Sequence, residues 1–160
     1  MENNIYSISI GSVYYMKFDG IGSEQRGWRP GVVFQNNSAN LNSPNVIALP
    51  CTTVMKKIHQ PTHVLLRRKE SGMAKDSIVL CENPQRMSKV RIGEFITQLP
   101  DKYIRQIATA SMLASSVISF ITYDDLIATW RKAKALNKVS SGGSNVFQRG
   151  SKAEIYQRRI

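Results

Sequence analysis

Gly22-Ser23-Glu24-Gln25-Arg26-Gly27-Trp28-Arg29-Pro30 gathers a hydroxyl, a carboxylate, an amide and two guanidinium groups into one glycine-flexible stretch. Arginine gives charge-assisted hydrogen bonds to phosphate or carboxylate oxygens, and loops carry sites disproportionately. Thr52 and Thr53 add two hydroxyls further on, and Pro61-Thr62-His63-Val64 opens another segment. Other chemistries find less support. There is no CxxC, HExxH or GxxxxGK[ST], so zinc-finger, metalloprotease and P-loop readings fall away. His59 and His63 stand four apart around Pro61 in an extended stretch, which does not aim both at one metal, and no Cys, Asp or Glu partner is near. The Gly20, Gly22 and Gly27 loop runs into a strand instead of a helix, so it is not a dinucleotide fingerprint. Nothing in the spacing gives Cys51 a base, and Cys51 and Cys81 are expected to be free buried thiols.

Several elements must position these groups. Ser12 to Phe18 is β-branched and aromatic and reads as a strand, followed by a polar loop from Asp19 to Gly27. Pro30 to Gln35 reads as the second strand, Asn36 to Pro44 as a loop, and Asn45 to Leu49 as the third strand. Thr62 to Leu66 and Ser77 to Cys81 supply two more across the charged turn Arg67 to Asp76, and Gln85 to Ile92 reads as the last. The period then changes. Ile104, Ile107, Ala108, Ser111, Ala114, Ile118 and Ile121 recur at helical spacing behind Pro100 and Asp101, which suit a helix start. Thr122 and Asp125 resemble a capping box that restarts a helix with Tyr123, Leu126, Ile127, Trp130 and Ala133 on one face. Strands followed by helix give an α+β fold, a small antiparallel barrel or sheet with helical cover.

The chain has 160 residues and a formal charge of +11, so an anionic partner is expected and nucleic acid is the first candidate. Residues 123–160 hold eight basic and three acidic side chains, nearly half the excess in a quarter of the length. That shift sets a boundary: a domain over 1–122, and a basic extension over 123–160, helical to about 138 and then a flexible tail through Ser140-Ser141-Gly142-Gly143-Ser144. The extension packs its apolar face on the barrel or lengthens a binding surface; packing is the preferred expectation, because an isolated helix of that length is marginal in water. No run approaches the roughly 18 apolar residues that cross a bilayer, and Met1 to Ile10 lacks a signal-peptide pattern, so the expected location is the cytoplasm.

Ser23 to Pro30 followed by Val32-Val33-Phe34-Gln35-Asn36 resembles the signature of the MazF/PemK family of toxin endoribonucleases. Ser43-Pro44-Asn45-Val46-Ile47, Pro61-Thr62-His63-Val64 and Lys75-Asp76-Ser77-Ile78-Val79-Leu80 with Glu82 continue the likeness in family order, from about Gly11 to Ile121. The resemblance implies an SH3-like barrel that forms a homodimer and cuts single-stranded RNA sequence-specifically, with no metal or other cofactor. It further implies attack of the 2′-hydroxyl on the adjacent phosphorus, leaving a cyclic phosphate and a 5′-hydroxyl, and restraint by an acidic cognate antitoxin. It assigns Arg29 and Thr52 to catalysis, and Ser23, Glu24, Gln25, Thr53, Glu82 and Asn83 to the RNA. Arginine, with a pKa above about 12, is a poor general base, so Glu24 competes for that role. A structural role for Arg29, a salt bridge to Glu24 that pins the loop, stands beside the catalytic one.

The chain departs from the family at Asn83-Pro84-Gln85-Arg86, where members often show Gln-x-Arg-Thr. Arg86 falls one place late, and a one-residue shift on a strand reverses its face. Trp28 either stacks on an unpaired base or serves as an edge-on core aromatic. The competing function is non-catalytic binding on the same barrel, as in the CcdB gyrase poisons or an RNA-binding relative.

Overall fold

The computed structural model describes residues 8–22 and 24–140, with side chains to residue 135. Ser23 and the tail expected beyond the last helix therefore lie outside the described residues.

Strand β1 (Ser12–Asp19) alternates strictly, and its neighbours face opposite ways. Val13 enters one core with Val32, Leu49, Val64, Leu66 and Val79, whereas Tyr14, Met16 and Phe18 enter a second with Val33, Val46 and Met87. Each such side chain contributes about 1.5–3 kcal/mol on burial, so the sheet is held from both faces. Strand β2 (Arg26–Val33) runs antiparallel to β1, with Val32 opposite Val13 and Arg26 opposite Asp19. It begins earlier than the expected Pro30 because the β1 ladder pairs with Arg26 to Arg29, which leaves only 20–25 as the connecting loop.

Strand β3 (Asn45–Thr52) pairs with β2 and divides its other edge between two partners. Strand β5 (Ser77–Leu80) pairs with Cys51 and Thr52, and β6 (Gln85–Ser88) with Asn45 to Ala48. Strand β4 (His63–Leu66) pairs with β5, and β7 (Ile92–Gln98) with the far edge of β1. The order is β4-β5-β3-β2-β1-β7, with β6 on β3. The class is α+β, as expected. No pairing joins β4 to β7 among the described residues, so the closed barrel of the expectation gives way to an open antiparallel sheet. Helix α2 (Arg68–Ser71), inside the expected charged turn, spans that gap: Thr97 Oγ1 of β7 donates to the Ser71 carbonyl at 3.2 Å.

Other departures have local causes. The Asn36–Pro44 loop contains helix α1 (Asn37–Asn42), started by the Asn36 side chain accepting from the Ala39 N–H at 2.9 Å. A 3-10 turn over Lys89–Arg91 breaks the single strand expected over Gln85 to Ile92, and the chain resumes as β7. Helix α3 (Asp101–Ala114) stops short of Ile121, since Ser116 takes a left-handed φ of 55°. Tyr103 and Ile107 carry its apolar face into the first core. The chain divides into two compact units, Met1–Phe120 and Ile121–Ile160. In the second, α4 (Tyr123–Ser140) opens with the expected reciprocal cap, Asp125 N–H on Thr122 Oγ1 at 3.2 Å and Thr122 N–H on Asp125 Oδ2 at 3.0 Å. Those bonds hold the Asp125 carboxyl below its ordinary range. Tyr123, Leu126 and Trp130 are 71, 40 and 45% exposed, and Lys134 Nζ lies 4.1 Å from the Trp130 ring centroid.

Candidate active site

Arg29 leaves β2 into a cavity of about 290 Å³ that is also lined by Pro30, Cys51, Thr52, Thr53, Val54 and Ser77. Three strands build it. β2 brings Arg29, the end of β3 brings Cys51 and Thr52, and β5 begins at Ser77 opposite Leu66. Gly31 lets β2 lie close to its neighbour: a Cβ there would stand 2.7 Å from Phe18 Cζ and 2.9 Å from Met16 Sδ.

The guanidinium is held at two of its three nitrogens. Nη1 donates to Gln25 Oε1, and Nη2 to the Arg26 carbonyl at 2.8 Å. Nε is buried without a hydrogen-bond partner. A buried donor left unpaired costs roughly 1–3 kcal/mol, more on a charged group, so the arrangement favours an incoming acceptor. Glu24 does not pair with Arg29; its carboxylate accepts from Ile21 N–H at 2.9 Å within the loop. The salt bridge considered as the structural role is therefore replaced by Gln25 and a backbone carbonyl.

Thr52 Oγ1 accepts from Val54 N–H at 3.2 Å, which leaves the hydroxyl proton as what Thr52 offers the cavity. The Cys51 thiol is the acid of the wall and is pushed up to about 12, by burial first and by Cys81 second, against a smaller opposing effect of Arg29. It is a neutral thiol at physiological pH and not a nucleophile.

The structure thus brings Arg29, Thr52 and Thr53 together and ties Gln25 to them. Glu24, Glu82 and Asn83 do not line the cavity. Glu82 engages His63 instead, Nε2 to Oε1 at 2.9 Å, and Asn83 N–H closes a turn on the Leu80 carbonyl at 3.2 Å. Trp28 is 59% exposed on the rim of β2, its ring over Gly93, where a Cβ would meet it at 3.1 Å. Two residues were missed. Ser77, 2% exposed, lines the cavity and lay in plain view within the Lys75 to Leu80 block. Gln85 sits opposite Ala48 and its Nε2 reaches the Gln25 carbonyl at 3.4 Å, while Arg86, opposite Ile47, is exposed. The altered segment therefore turns an amide, not a guanidinium, toward the loop that holds Arg29.

Residues 9–114 match the family described as PemK-like, MazF-like toxin of type II toxin-antitoxin system. The chain is 34% identical over 111 residues to the endoribonuclease EndoA of Bacillus subtilis (strain 168), a match covering 69% of this chain and 96% of that protein. Its fold is similar to that of MazF from Deinococcus radiodurans, with a TM-score of 0.61 at 20% identity, covering 69% of this chain and 98% of the other. It is also similar to an endoribonuclease solved with its cognate antitoxin from a mycobacterial species, with a TM-score of 0.54 at 23% identity over 68% and 94% of the two chains.

Proposed function

The chain belongs to the PemK-like, MazF-like toxins of type II toxin-antitoxin systems, and from that membership we propose that it is an endoribonuclease that cuts single-stranded messenger RNA without a metal. The observation that carries the reading is the buried, unpartnered Nε of Arg29 in a cavity whose other offered donor is the Thr52 hydroxyl. Two donors converging on a site that fits a phosphate are what a phosphorane needs.

In the proposed reaction the 2′-oxygen of the RNA forms a bond to the adjacent phosphorus as the bond from phosphorus to the 5′-oxygen breaks. The hydroxyl proton leaves with a base and the departing 5′-oxygen takes up a proton. No water is consumed, and the products are a 2′,3′-cyclic phosphate and a 5′-hydroxyl. Arg29 neutralises the charge that builds on the non-bridging oxygens, through Nε first and through the Nη pair as its loop contacts yield. Thr52 donates to one of those oxygens. Ser77 and Thr53 complete the polar wall, and Gln25 orients the guanidinium. Arg29 serves as an electrostatic stabiliser, since a guanidinium does not give up its proton readily.

The proposed assembly is a homodimer in the cytoplasm. No described helix is long and apolar enough to cross a membrane. The proposed restraining partner is an acidic antitoxin segment, which a chain of +11 attracts electrostatically. Residues 1–122 are the proposed toxin domain and 123–160 an extension outside the family match.

The purified chain, freed of any antitoxin, should be incubated with a long single-stranded RNA in EDTA and the cut ends mapped. Discrete cuts ending in cyclic phosphate and 5′-hydroxyl, absent with the equivalent DNA and lost in Arg29→Ala, support the reading. A folded sample that leaves RNA intact overturns it in favour of a binding protein.

A further inference from the structure

His63 begins β4 with its side chain only 8% exposed, and both ring nitrogens face acceptors. Nδ1 lies 2.9 Å from the Lys57 carbonyl oxygen, and Nε2 lies 2.9 Å from Glu82 Oε1. A carbonyl has no proton to give, and an ionised carboxylate has none either. A ring that satisfies both at once carries a proton on each nitrogen and is an imidazolium. Lys57, at the loop end of this contact, takes a left-handed φ of 55° that costs an L-residue energy unless something holds it. Its carbonyl also accepts from Gln60 N–H at 3.0 Å, and the Gln60 carbonyl accepts from His63 N–H at 2.9 Å. The loop so held is the direct continuation of the cavity wall, since Thr52, Thr53 and Val54 precede Lys57 by only a few residues.

We propose that His63 is a positioning residue for cleavage: as an imidazolium it clamps the β3–β4 loop, at Lys57, to Glu82 after β5, and thereby fixes the Thr52–Val54 wall beside Arg29. The consequence for RNA rests on the endoribonuclease reading, but the clamp itself does not. Glu82 then acts through His63 instead of touching substrate. Lys102 and Arg105 of α3 share with His63 a groove of about 700 Å³, and Glu70 pairs with Lys102. Against those two cations, Glu82 is the carboxylate recorded on the ring, so Glu82 is what retains its second proton. Raising the pH through the titration of His63 removes one of the two bonds and loosens the loop.

Two substitutions separate the arms, because an Asn amide reproduces the Nδ1 donor and a Gln amide the Nε2 donor. On the full chain, His63→Gln keeps Glu82 and releases Lys57; trypsin nicking after Lys56 and Lys57 should rise about tenfold, the effect of one hydrogen bond to a charged group. His63→Asn should raise it much less. The RNA cleavage rate should fall in the same order, in kcat and not KM, and the wild-type decline toward alkaline pH should flatten in both variants. Long-range proton–nitrogen NMR should show two protonated ring nitrogens on His63 in mildly acid buffer. Should His63→Gln fail to fold, Glu82→Gln at the exposed end provides the same comparison. A neutral ring in that spectrum, or nicking unchanged in every variant, overturns the clamp. A wild-type chain that leaves RNA intact, with nicking and NMR as expected, overturns the endoribonuclease reading alone.

Discussion

Arg29 takes its orientation from Gln25, four residues earlier, whose side-chain carbonyl accepts from Nη1. The contact spans the start of β2, so the loop and the strand hold one another. Gln25→Ala removes it and leaves the backbone free to fold. RNA cleavage should slow by about tenfold, the worth of one charged hydrogen bond, with the unfolding midpoint in urea barely moved. An unaltered rate would mean that the Arg26 carbonyl alone suffices.

Arg29 itself should be far less replaceable. Arg29→Ala should lower single-turnover cleavage by about 10² to 10³-fold, as loss of a preorganised oxyanion donor does elsewhere. Arg29→Lys should recover little of it, because an ammonium cannot keep Gln25 and the Arg26 carbonyl while presenting a further N–H to the cavity. Recovery to the wild-type rate by lysine would show that charge alone is required.

Gly31 tests packing under the site. The Cβ of Gly31→Ala would meet Phe18 Cζ at 2.7 Å and Met16 Sδ at 2.9 Å, in the buried second core. Overpacking of this kind costs about 1–3 kcal/mol, readable as a lower urea midpoint with an unchanged slope. Wild-type stability would mean that β1 and β2 separate with little cost.

The two cysteines set an alkaline limit. Cys51 and Cys81 are both raised from 9.0 to about 12, burial being the largest cause for each. A raised folded-state value stabilises the fold fully below the ordinary thiol value of 9.0, and that contribution is lost as pH climbs toward about 12. The unfolding midpoint should fall over that window, and less steeply in Cys51→Ala. In neutral buffer the native thiols should resist alkylation and react only on unfolding.

The extension is tested by its removal. A chain ending at residue 122 keeps the whole family match and both cores, and loses eight basic and three acidic side chains. Its cooperative unfolding and its RNA cleavage should both persist. Aggregation of the shortened chain on purification would show that α4 is required for the fold.

Much of this site is local in sequence and therefore readable there. The loop chemistry from Glu24 to Arg29, the Thr52 end of β3 and the Thr122–Asp125 cap each lie within a few residues, and each appears in the structure. What escaped the sequence depends on distant pairing. Gln85 reaches Gln25 across 60 residues, and His63 meets Glu82 only because β4 and β5 pair. Strand β7 contributes to β1 through a ladder whose register shifts twice, between Val13 and Tyr14 and between Tyr14 and Met16. Its residues show no clean alternation, since Phe95 and Ile96 serve different cores. Helix α1 is six residues long, too short to declare a period, and a single asparagine cap starts it.

The open ladder has a consequence for behaviour in a crowded cell. A sheet that does not close leaves two edges where a strand of another molecule might add, the ordinary route to aggregates. Here β4 offers only four residues, and α2 follows it with Thr97 fastened across the gap. At the other end the irregular pairing of β1 with β7 adds local twist, which spoils a flat edge. The seam that keeps this sheet from being a barrel also makes both of its edges poor templates, so the chain can be present in quantity and remain dispersed.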